Sequence, residues 1–378
     1  MNRKRTWGLG LLGCGSFGAF CLETYSRLAD LRPAAVADAF PAAADRLAER
    51  FGVPAVYAAA DLFARDDVDI VHIATPPQSH YPLALAALRA GKHVLCEKPL
   101  ATRLDHAEAL VAEASRQGRI CPVNFVLRYN PVTDAVKAIV DSGLIGRPIH
   151  GSFENFAQDE SLGPDHWFWD RALSGGIFIE HAVHFFDLYA HWFGPGRVVA
   201  AHAETRTGSA AQDRVMCITR HDEGVTVHQY HGFDQPERLD RQNHHLLFER
   251  GDLYADGWIP RSLALHAIVD DDQAAGLRRL CPGADVEVLE RYAGRDRRCR
   301  GRWQEYAVTQ RIRLAWDGGP DKDTLYRRGV ADLMRDQVAR LADPGHLRRV
   351  TEADGRDAVA AAVTAAAMAA DGSAGSGQ

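Results

Sequence analysis

One apolar segment carries a polar stripe that could perform acid–base chemistry. The segment covers residues 177–193 behind a Gly-Gly pair, and its polar residues are Glu180, His181, His184, Asp187 and His191. At about 100° per residue, positions 180, 184, 187 and 191 share an arc of roughly 60° on a helix. A neutral imidazole on this arc could accept the proton of a hydroxyl group. The stripe is equally typical of the solvent-facing edge of a core helix, and the pattern alone leaves both interpretations open.

A lysine at a strand end is the second candidate for chemistry. Residues 92–96 are strand-like and are followed by Glu97-Lys98-Pro99, while the strand-like residues 69–74 are followed by Thr75-Pro76. Ligands of doubly wound sheets bind beyond the carboxyl ends of the strands, so we expect both turns to face one cleft. An ammonium group there could donate to a substrate oxygen and stabilise negative charge on it. Without its neighbours, Lys98 would be interpreted as a solvated surface lysine.

A glycine motif near the start predicts a nucleotide cleft. Gly13-x-Gly15-x-x-Gly18 lies between a strand at 6–12 and a helix at 17–29, with Ser16 and Phe17 inside the motif. Such a turn brings backbone and a helix N-terminus to a pyrophosphate. Asp38 follows the next strand, 20 residues after Gly18, where a carboxylate can bind the adenosine ribose or merely cap the next helix. No lysine or arginine follows until Arg46, which favours NAD over NADP.

The elements that must position these residues predict an α/β protein of two domains. Strands and helices alternate over residues 1–125, which predicts a doubly wound parallel sheet, and a second α/β domain is expected over 126–370. Its strand-like runs lie near 197–205, 214–220, 225–233, 245–250, 286–291 and 307–315 and indicate a mainly antiparallel sheet. Helices are expected near 324–342 and 351–370, and residues 371–378 are interpreted as a flexible tail.

Composition excludes several classes of protein. The chain has 378 residues, a formal charge of −6 and 46% hydrophobic residues, so neither nucleic acid nor membrane is an expected partner. A basic stretch at 295–302 is interpreted as a solvated connection. The seven cysteines are scattered without a Cys-x-x-Cys pair, which favours a reducing, cytoplasmic compartment. The opening resembles a lipoprotein export signal, but its apolar run from Trp7 to Leu12 has only six residues.

Several blocks resemble the glucose-fructose oxidoreductase, inositol dehydrogenase and rhizopine catabolism family (Gfo/Idh/MocA). They are the glycine motif, Asp38, ATPPQSHYPLALAALRAGKHVLCEKPLA at 74–101, NFVLRYNP at 124–131 and GGIFIEHAVHFFDL at 175–188. The resemblance covers most of the first 200 residues, and its Glu-Lys-Pro block is the most specific part. It implies an NAD(P)-binding Rossmann domain followed by an α/β domain with a large open antiparallel sheet, in a homodimer or homotetramer. The implied activity is reversible oxidation of a hydroxyl on a sugar, cyclitol or related small polyhydroxylated substrate.

The same resemblance assigns roles to individual residues. It implies that Lys98 is catalytic, with a cis bond before Pro99, and that His184 is the acid/base. Glu180 occupies a position where the family usually has aspartate, and it could orient His184 or bind a neighbouring substrate hydroxyl. Trp167 could form a wall over the substrate, although tryptophans in such runs are more often core residues. The expected cofactor contacts are Gly13, Gly15, Ser16, Phe17, Gly18, Asp38, Thr75, Pro76, His80, Glu97, Lys98, Asn124 and Arg128.

Several alternatives stay open at this level. Arg128 could form a structural ion pair instead of contacting the cofactor, and His80 could simply begin a helix. Relatives that oxidise their substrate only transiently catalyse epimerisation, elimination or glycoside cleavage, and others are non-catalytic regulators. The stripe at Glu180, His184, Asp187 and His191 has the spacing of a metal site, but hydride transfer needs no metal and none is expected.

Overall fold

The first part of the chain forms a parallel sheet covered by helices. The computed structural model describes residues 5–159, 162–209 and 211–374. The strands are β1 (Trp7–Leu12), β2 (Leu31–Ala37), β3 (Ala55–Val56), β4 (Ile70–Ile73) and β5 (His93–Cys96). The helices are α1 (Ser16–Tyr25), α2 (Pro41–Phe51), α3 (Ala59–Phe63), α4 (His80–Arg89) and α5 (Leu104–Gln117), with a 3₁₀ turn at Pro77–Ser79.

The strand order of this sheet creates the cleft. The order is β3-β2-β1-β4-β5 and every pairing is parallel, so β1 lies in the middle of the sheet. All six residues of β1 are buried, as expected for a strand that is covered on both faces. The chain therefore uses its opening apolar run as the central strand of a domain. The turns after β1, β4 and β5 meet at one edge of the sheet, where ligands bind in this architecture.

A nine-stranded sheet dominates the second part of the chain. A 3₁₀ turn at Val126–Tyr129 leads to α6 (Pro131–Ser142) and then to β6 (Pro148–Phe156). The further strands are β7 (Gly196–Thr205), β8 (Gln212–His221), β9 (Thr226–Gly232), β10 (Arg241–Phe248), β11 (Gly251–Asp256), β12 (Ser262–Val269), β13 (Asp285–Arg291), β14 (Arg298–Gly301), β15 (Gln304–Ala307) and β16 (Gln310–Asp317). The order is β13-β16-β12-β11-β10-β6-β9-β8-β7, and β14 pairs with β15 in a separate ribbon. Only the β6–β9 pairing is parallel among these described strands.

The helices of the second part of the chain carry the polar stripe and connect the domains. They are α7 (Arg171–Ser174), α8 (Ile177–Glu180), α9 (Val183–Phe193), α10 (Asp271–Leu280), α11 (Lys322–Ala342) and α12 (Glu352–Ala374), with further 3₁₀ turns at Asp222–Gly224, Glu237–Leu239 and Gly294–Arg297. Phe185 of α9 stacks on Phe153 of β6, with ring centroids 3.7 Å apart. The last helix packs against α5 of the first domain and against α9 and β7 of the second. This helix therefore helps to hold the two domains together.

The structure changes two expectations about these helices. Residues 177–193 do not form one helix, because the chain breaks between α8 and α9 at His181 and Ala182. The polar residues of the stripe consequently face different surroundings. The final helix extends to Ala374, so the start of the expected tail is helical, and residues 375–378 lie outside the described residues. Among the described helices, none combines the length and the apolar content that a membrane crossing requires.

Candidate active site

A single cleft brings most of the predicted site residues together. It has a volume of about 1110 Å³ and is bordered by the glycine turn, the ends of β4 and β5, and helices α8 and α9. Its lining includes Gly13, Gly15, Ser16, Phe17, Gly18, Asp38, Thr75, Pro76, Glu97, Lys98, Asn124, Trp167, Glu180 and His184. Residues from the two domains therefore share one cavity, although 86 positions of sequence separate Lys98 from His184.

The glycine turn has the geometry of a phosphate cradle. Gly13 has a φ of +105°, and a Cβ there would lie 2.4 Å from the Ala74 carbonyl oxygen. A Cβ on Gly18 would lie 2.0 Å from the Gly13 carbonyl oxygen, so the first turn of α1 can pack against the loop only with glycine there. A Cβ on Gly15 would meet open space, and no side chain caps the helix that begins at Ser16. The free backbone N–H groups of this helix N-terminus suit a pyrophosphate.

Asp38 and two exposed aromatic rings form the far end of the cleft. The Asp38 carboxylate accepts hydrogen bonds from the backbone N–H groups of Cys14 (2.7 Å) and Phe40 (2.8 Å). Phe40 and Tyr57 also line the cleft, and they are 77% and 54% exposed. Large exposed rings beside a nucleotide cradle suit an adenine ring. Neither residue could be predicted from the glycine motif, because neither belongs to it.

Lys98 and Glu180 form the polar centre of the other end. The Lys98 ammonium donates to the Glu180 carbonyl oxygen (2.8 Å) and forms an ion pair with Oε1 of the same residue. The peptide bond between Lys98 and Pro99 is cis, as the resemblance implied. The Glu180 carboxylate therefore holds the lysine, whereas sequence analysis left it a choice between His184 and a substrate hydroxyl. The break after α8 allows this contact, because the carbonyl oxygen of Glu180 is not used by a described hydrogen bond of the following helix.

His184 lies in a dry, aromatic part of the same end. It is buried, and its ring centroid is 6.1 Å from that of Phe125 and 5.9 Å from that of Trp258. Burial, and secondly the positive charge of Lys98, hold the pKa of His184 well below its usual value. The imidazole is therefore neutral at neutral pH and can accept a proton. Its Nδ1 has no hydrogen-bond partner in the described part of the chain, so a tautomer is not imposed by the protein.

His80 does not reach the cleft, which corrects its assignment as a cofactor contact. It begins α4 and is fully buried. Its Nδ1 lies 2.6 Å from the Pro99 carbonyl oxygen, and its Nε2 lies 2.7 Å from the Thr75 carbonyl oxygen. Burial lowers the pKa of His80. The imidazole therefore links the turns after β4 and β5 from behind, with both ring nitrogens already engaged.

Arg128 also lies outside the cleft lining, and the structural ion pair is the correct interpretation. Its guanidinium binds both carboxylate oxygens of Asp187, at 2.8 and 2.5 Å. It also donates to Asp354 (2.9 Å) and to the Arg349 carbonyl oxygen (3.0 Å). The two carboxylates raise the pKa of Arg128 above its usual range despite burial. This network joins the 3₁₀ turn at Val126–Tyr129 to α9 and α12. Asp187 is therefore paired with Arg128 and does not line the cleft with Glu180 and His184.

Several further lining residues come from segments without a motif. Trp258 and Lys322 border the cleft near His184, and the Lys322 ammonium lies 5.4 Å from the Trp258 ring centroid. Tyr326 connects this corner to the glycine turn, since its ring centroid is 5.3 Å from Trp258 and 5.9 Å from Phe17. No local pattern indicated these residues, because the packing of α11 brings Lys322 and Tyr326 to the site, and the connection between β11 and β12 brings Trp258 there.

Comparisons with known proteins agree with this architecture. Residues 8–125 match the model of the oxidoreductase family with an NAD-binding Rossmann fold, and residues 133–254 match the model of the GFO/IDH/MocA C-terminal domain. The chain is 34% identical over 232 residues to inositol 2-dehydrogenase 2 of Saccharopolyspora erythraea, covering 59% of this chain and 65% of that protein. It is 35% identical over 184 residues to inositol 2-dehydrogenase of Rhizobium meliloti, covering 47% and 52%. The matches thus span between about half and two thirds of these curated relatives.

Solved structures show the same fold over nearly the whole chain. Levoglucosan dehydrogenase in complex with NADH superposes with a TM-score of 0.78 at 20% identity, covering 97% of this chain and 98% of that one. GenD2 from gentamicin A biosynthesis, in complex with NAD, superposes with a TM-score of 0.74 at 20% identity, covering 97% and 95%. These likenesses show the two-domain arrangement of a Rossmann sheet and a large mixed sheet.

Proposed function

The chain belongs to the Gfo/Idh/MocA oxidoreductase family, and we propose that it is an NAD-dependent enzyme that transfers hydride between the cofactor and a secondary alcohol or ketone of a sugar, cyclitol or sugar-derived metabolite. The observation that carries this proposal is that Lys98, Glu180 and His184 line the same cleft as the glycine turn. A phosphate cradle at one end and an acid–base pair at the other form a complete site for this reaction.

Lys98 acts on the substrate oxygen. Its ammonium donates a hydrogen bond to that oxygen and stabilises the negative charge that develops as the carbon–hydrogen bond breaks. Glu180 is a positioning residue in this scheme, since it accepts from the lysine at two oxygens and limits the directions in which the ammonium can point. Its carboxylate also balances the lysine charge before substrate binds.

His184 takes the hydroxyl proton. Because the imidazole is neutral and flanked by aromatic rings, it accepts a proton from the substrate without first losing one of its own. Bound NAD supplies the hydride acceptor. Phe125 and Trp258 exclude water from the histidine, which strengthens its interaction with the reacting hydroxyl.

Asp38 selects NAD over NADP. Its carboxylate is fixed by two backbone N–H groups at the mouth of the glycine turn, where the adenosine ribose of a dinucleotide would lie. A carboxylate there accepts hydrogen bonds from the ribose hydroxyls and repels a 2′-phosphate. We expect NAD to bind more tightly than NADP.

The test is a substrate screen with the purified full-length chain. Cyclitols, aldoses and keto sugars are incubated with NAD, NADH, NADP and NADPH, and absorbance of the reduced nicotinamide is followed. We expect net reduction of NAD with at least one polyol and its loss in Lys98→Met. Substrate turnover without any net change in cofactor absorbance would contradict the proposed net oxidation.

The family resemblance also leads us to propose a homodimer or homotetramer. Sedimentation equilibrium of the full-length chain tests this assembly directly. A monomer at micromolar concentration would contradict it.

A further inference from the structure

Three metal-ligating side chains meet behind the wall of the cleft. Cys21 on α1, His72 on β4 and Glu97 after β5 place a sulfur, a ring nitrogen and a carboxylate oxygen all within 4.8 Å of one another. Their side chains come from three elements of the first domain and are 0%, 0% and 8% exposed. This cluster lies outside the acid–base pair described above, and the sequence motifs predicted no metal site.

The carboxylate of this cluster has hydrogen bonds but no cationic partner among the described residues. Glu97 is a buried carboxylate whose described hydrogen bonds come from His72 Nε2 (2.9 Å) and Asn124 Nδ2 (2.7 Å), and it pairs with no lysine or arginine among the described residues. Buried carboxylates in proteins are usually paired with a cation or bound to a metal. The network around Glu97 therefore provides hydrogen bonds but no fixed positive charge.

A fourth polar side chain lies against the cluster. Tyr25 is fully buried, and its hydroxyl lies within hydrogen-bond reach of the Cys21 thiol. Its ring centroid is 5.4 Å from that of His72. The His72 Nδ1 atom is buried and has no hydrogen-bond partner among the described residues. Such an unsatisfied buried nitrogen is rare in native proteins.

We propose that Cys21, His72 and Glu97 bind a divalent transition metal ion of the Zn²⁺ class. Sulfur, imidazole and carboxylate are the ligand types that Zn²⁺ prefers, at bond lengths of about 2.0–2.3 Å. The Cys21 thiol releases its proton to solvent when the metal–sulfur bond forms, and one thiolate and one carboxylate then cancel the two charges of the ion. The buried site is then neutral overall. The Tyr25 hydroxyl or a water molecule completes a tetrahedron.

Metal binding at this site would affect residues that line the cleft. Glu97 lines the cleft next to Lys98 and therefore joins the two sites. A metal bond to Glu97 competes with the hydrogen bond from Asn124, which also lines the cleft. Metal binding itself does not depend on the proposed dehydrogenase activity and can be measured without any substrate.

The experiment is a Co²⁺ titration of the metal-free full-length chain. Co²⁺ accepts zinc ligands, and a cobalt–thiolate bond gives a strong near-ultraviolet charge-transfer band. We expect this band to saturate at one ion per chain, to disappear when Zn²⁺ is added, and to be absent in Cys21→Ala. The matched control is Cys96→Ala, because Cys96 is a buried cysteine at the end of β5 outside the cluster, and this variant should keep the band.

Two results would overturn the proposal. They are the absence of a charge-transfer band in the wild-type chain and a band that survives Cys21→Ala. If circular dichroism shows that Cys21→Ala does not fold, Glu97→Gln decides, because it keeps the thiol and the side-chain shape but removes the charge. We expect Glu97→Gln to weaken Co²⁺ binding at least about 10-fold, and unchanged affinity would contradict the site.

Discussion

The two ends of the cleft are built by different means. The nucleotide end consists of one continuous turn, in which backbone conformation and helix N–H groups provide the contacts. The substrate end combines side chains from the end of β5, from α8 and α9, and from α11, which are far apart in sequence. A local motif can specify the first kind of site. The second kind depends on how the domains pack.

The largest expected effect comes from removing the ammonium group at the substrate end. We expect Lys98→Met to lower kcat by about 10³-fold, because it removes the donor that stabilises charge on the substrate oxygen. The dissociation constant for NAD should change little, since the nucleotide end does not use this side chain for the phosphates. Steady-state kinetics and NAD titration by fluorescence measure both quantities.

Lys137→Met is the control for that experiment. Lys137 is a lysine of α6 that pairs with Asp141 and lies outside the cleft lining. Its loss should leave kcat within about 2-fold of wild type, as expected for an exposed ion pair. Equal kcat values for Lys98→Met and Lys137→Met would contradict a role for Lys98 in the reaction.

Gly18→Ala tests the nucleotide end, where backbone groups provide the contacts. The added methyl would lie 2.0 Å from the Gly13 carbonyl oxygen and force the loop away from α1. We expect NAD affinity to fall about 100-fold and stability to fall by about 1–3 kcal/mol. Gly163→Ala, where a methyl meets open space, is the matched control. Unchanged NAD affinity in Gly18→Ala would show that this turn is not the phosphate cradle.

Much of the nucleotide end could therefore be predicted from sequence. The glycine motif, Asp38 and the turn containing Lys98 depend on short segments whose geometry is locally determined. His80 and Arg128 were assigned wrongly because their partners lie elsewhere: a carbonyl oxygen at Pro99 for the first, and carboxylates on α9 and α12 for the second. Sequence position indicated that they lie near the site, but it could not indicate which way their side chains point.

The substrate end was predicted less completely. The break at His181 is hidden inside a continuous apolar run, so periodicity predicted one helix and one stripe. β6 was not predicted, although it lies between β10 and β9 in the large sheet. Trp258 and Lys322 reach the cleft only through tertiary packing. Sheet order and domain packing depend on contacts between distant residues, which single-segment patterns do not contain.

Buried histidines should make the stability of the folded chain sensitive to acid. Burial lowers the pKa of His181 and His184 well below normal, and it lowers the pKa values of His231 and His244 to about 3. The unfolded chain takes up protons at these positions below its own pKa of about 6.5, whereas the folded chain does not. The free energy of unfolding should therefore fall as pH falls from about 6.5 towards 3.

Urea unfolding at a series of pH values measures this effect. Each buried histidine contributes up to about 1.4 kcal/mol per pH unit in that window. His231→Leu should show a shallower loss of stability than wild type, because it removes one of these groups. An identical slope in the two proteins would contradict the inference that His231 remains neutral in the folded state.

Asp38→Ser tests the preference of the nucleotide end for NAD over NADP. Loss of the carboxylate removes an acceptor for the ribose and the repulsion of a 2′-phosphate. We expect NAD affinity to fall about 10-fold and NADP affinity to rise, as measured by isothermal titration calorimetry. The control is Asp105→Ser, because the exposed Asp105 carboxylate pairs with Arg103 and does not line the cleft. A parallel weakening of both cofactors would indicate that Asp38 only supports the loop.

Glu180→Asp should have the smallest effect. It restores the residue type that is usual in the family and shortens the side chain by one methylene. We expect kcat to fall about 3-fold or less with KM nearly constant, because a carboxylate still holds Lys98. Glu180→Gln, which keeps the length and removes the charge, should lower kcat more. The reverse order would show that side-chain length, and not charge, positions the lysine.

The most direct test is a crystal structure of the full-length chain with NAD and a polyol that it oxidises. The account predicts that Lys98 Nζ and a ring nitrogen of His184 both lie about 3 Å from the same substrate oxygen, above a nicotinamide whose pyrophosphate binds the turn from Gly13 to Gly18. A substrate oxygen in contact with neither side chain, or a cofactor bound away from the glycine turn, would contradict it.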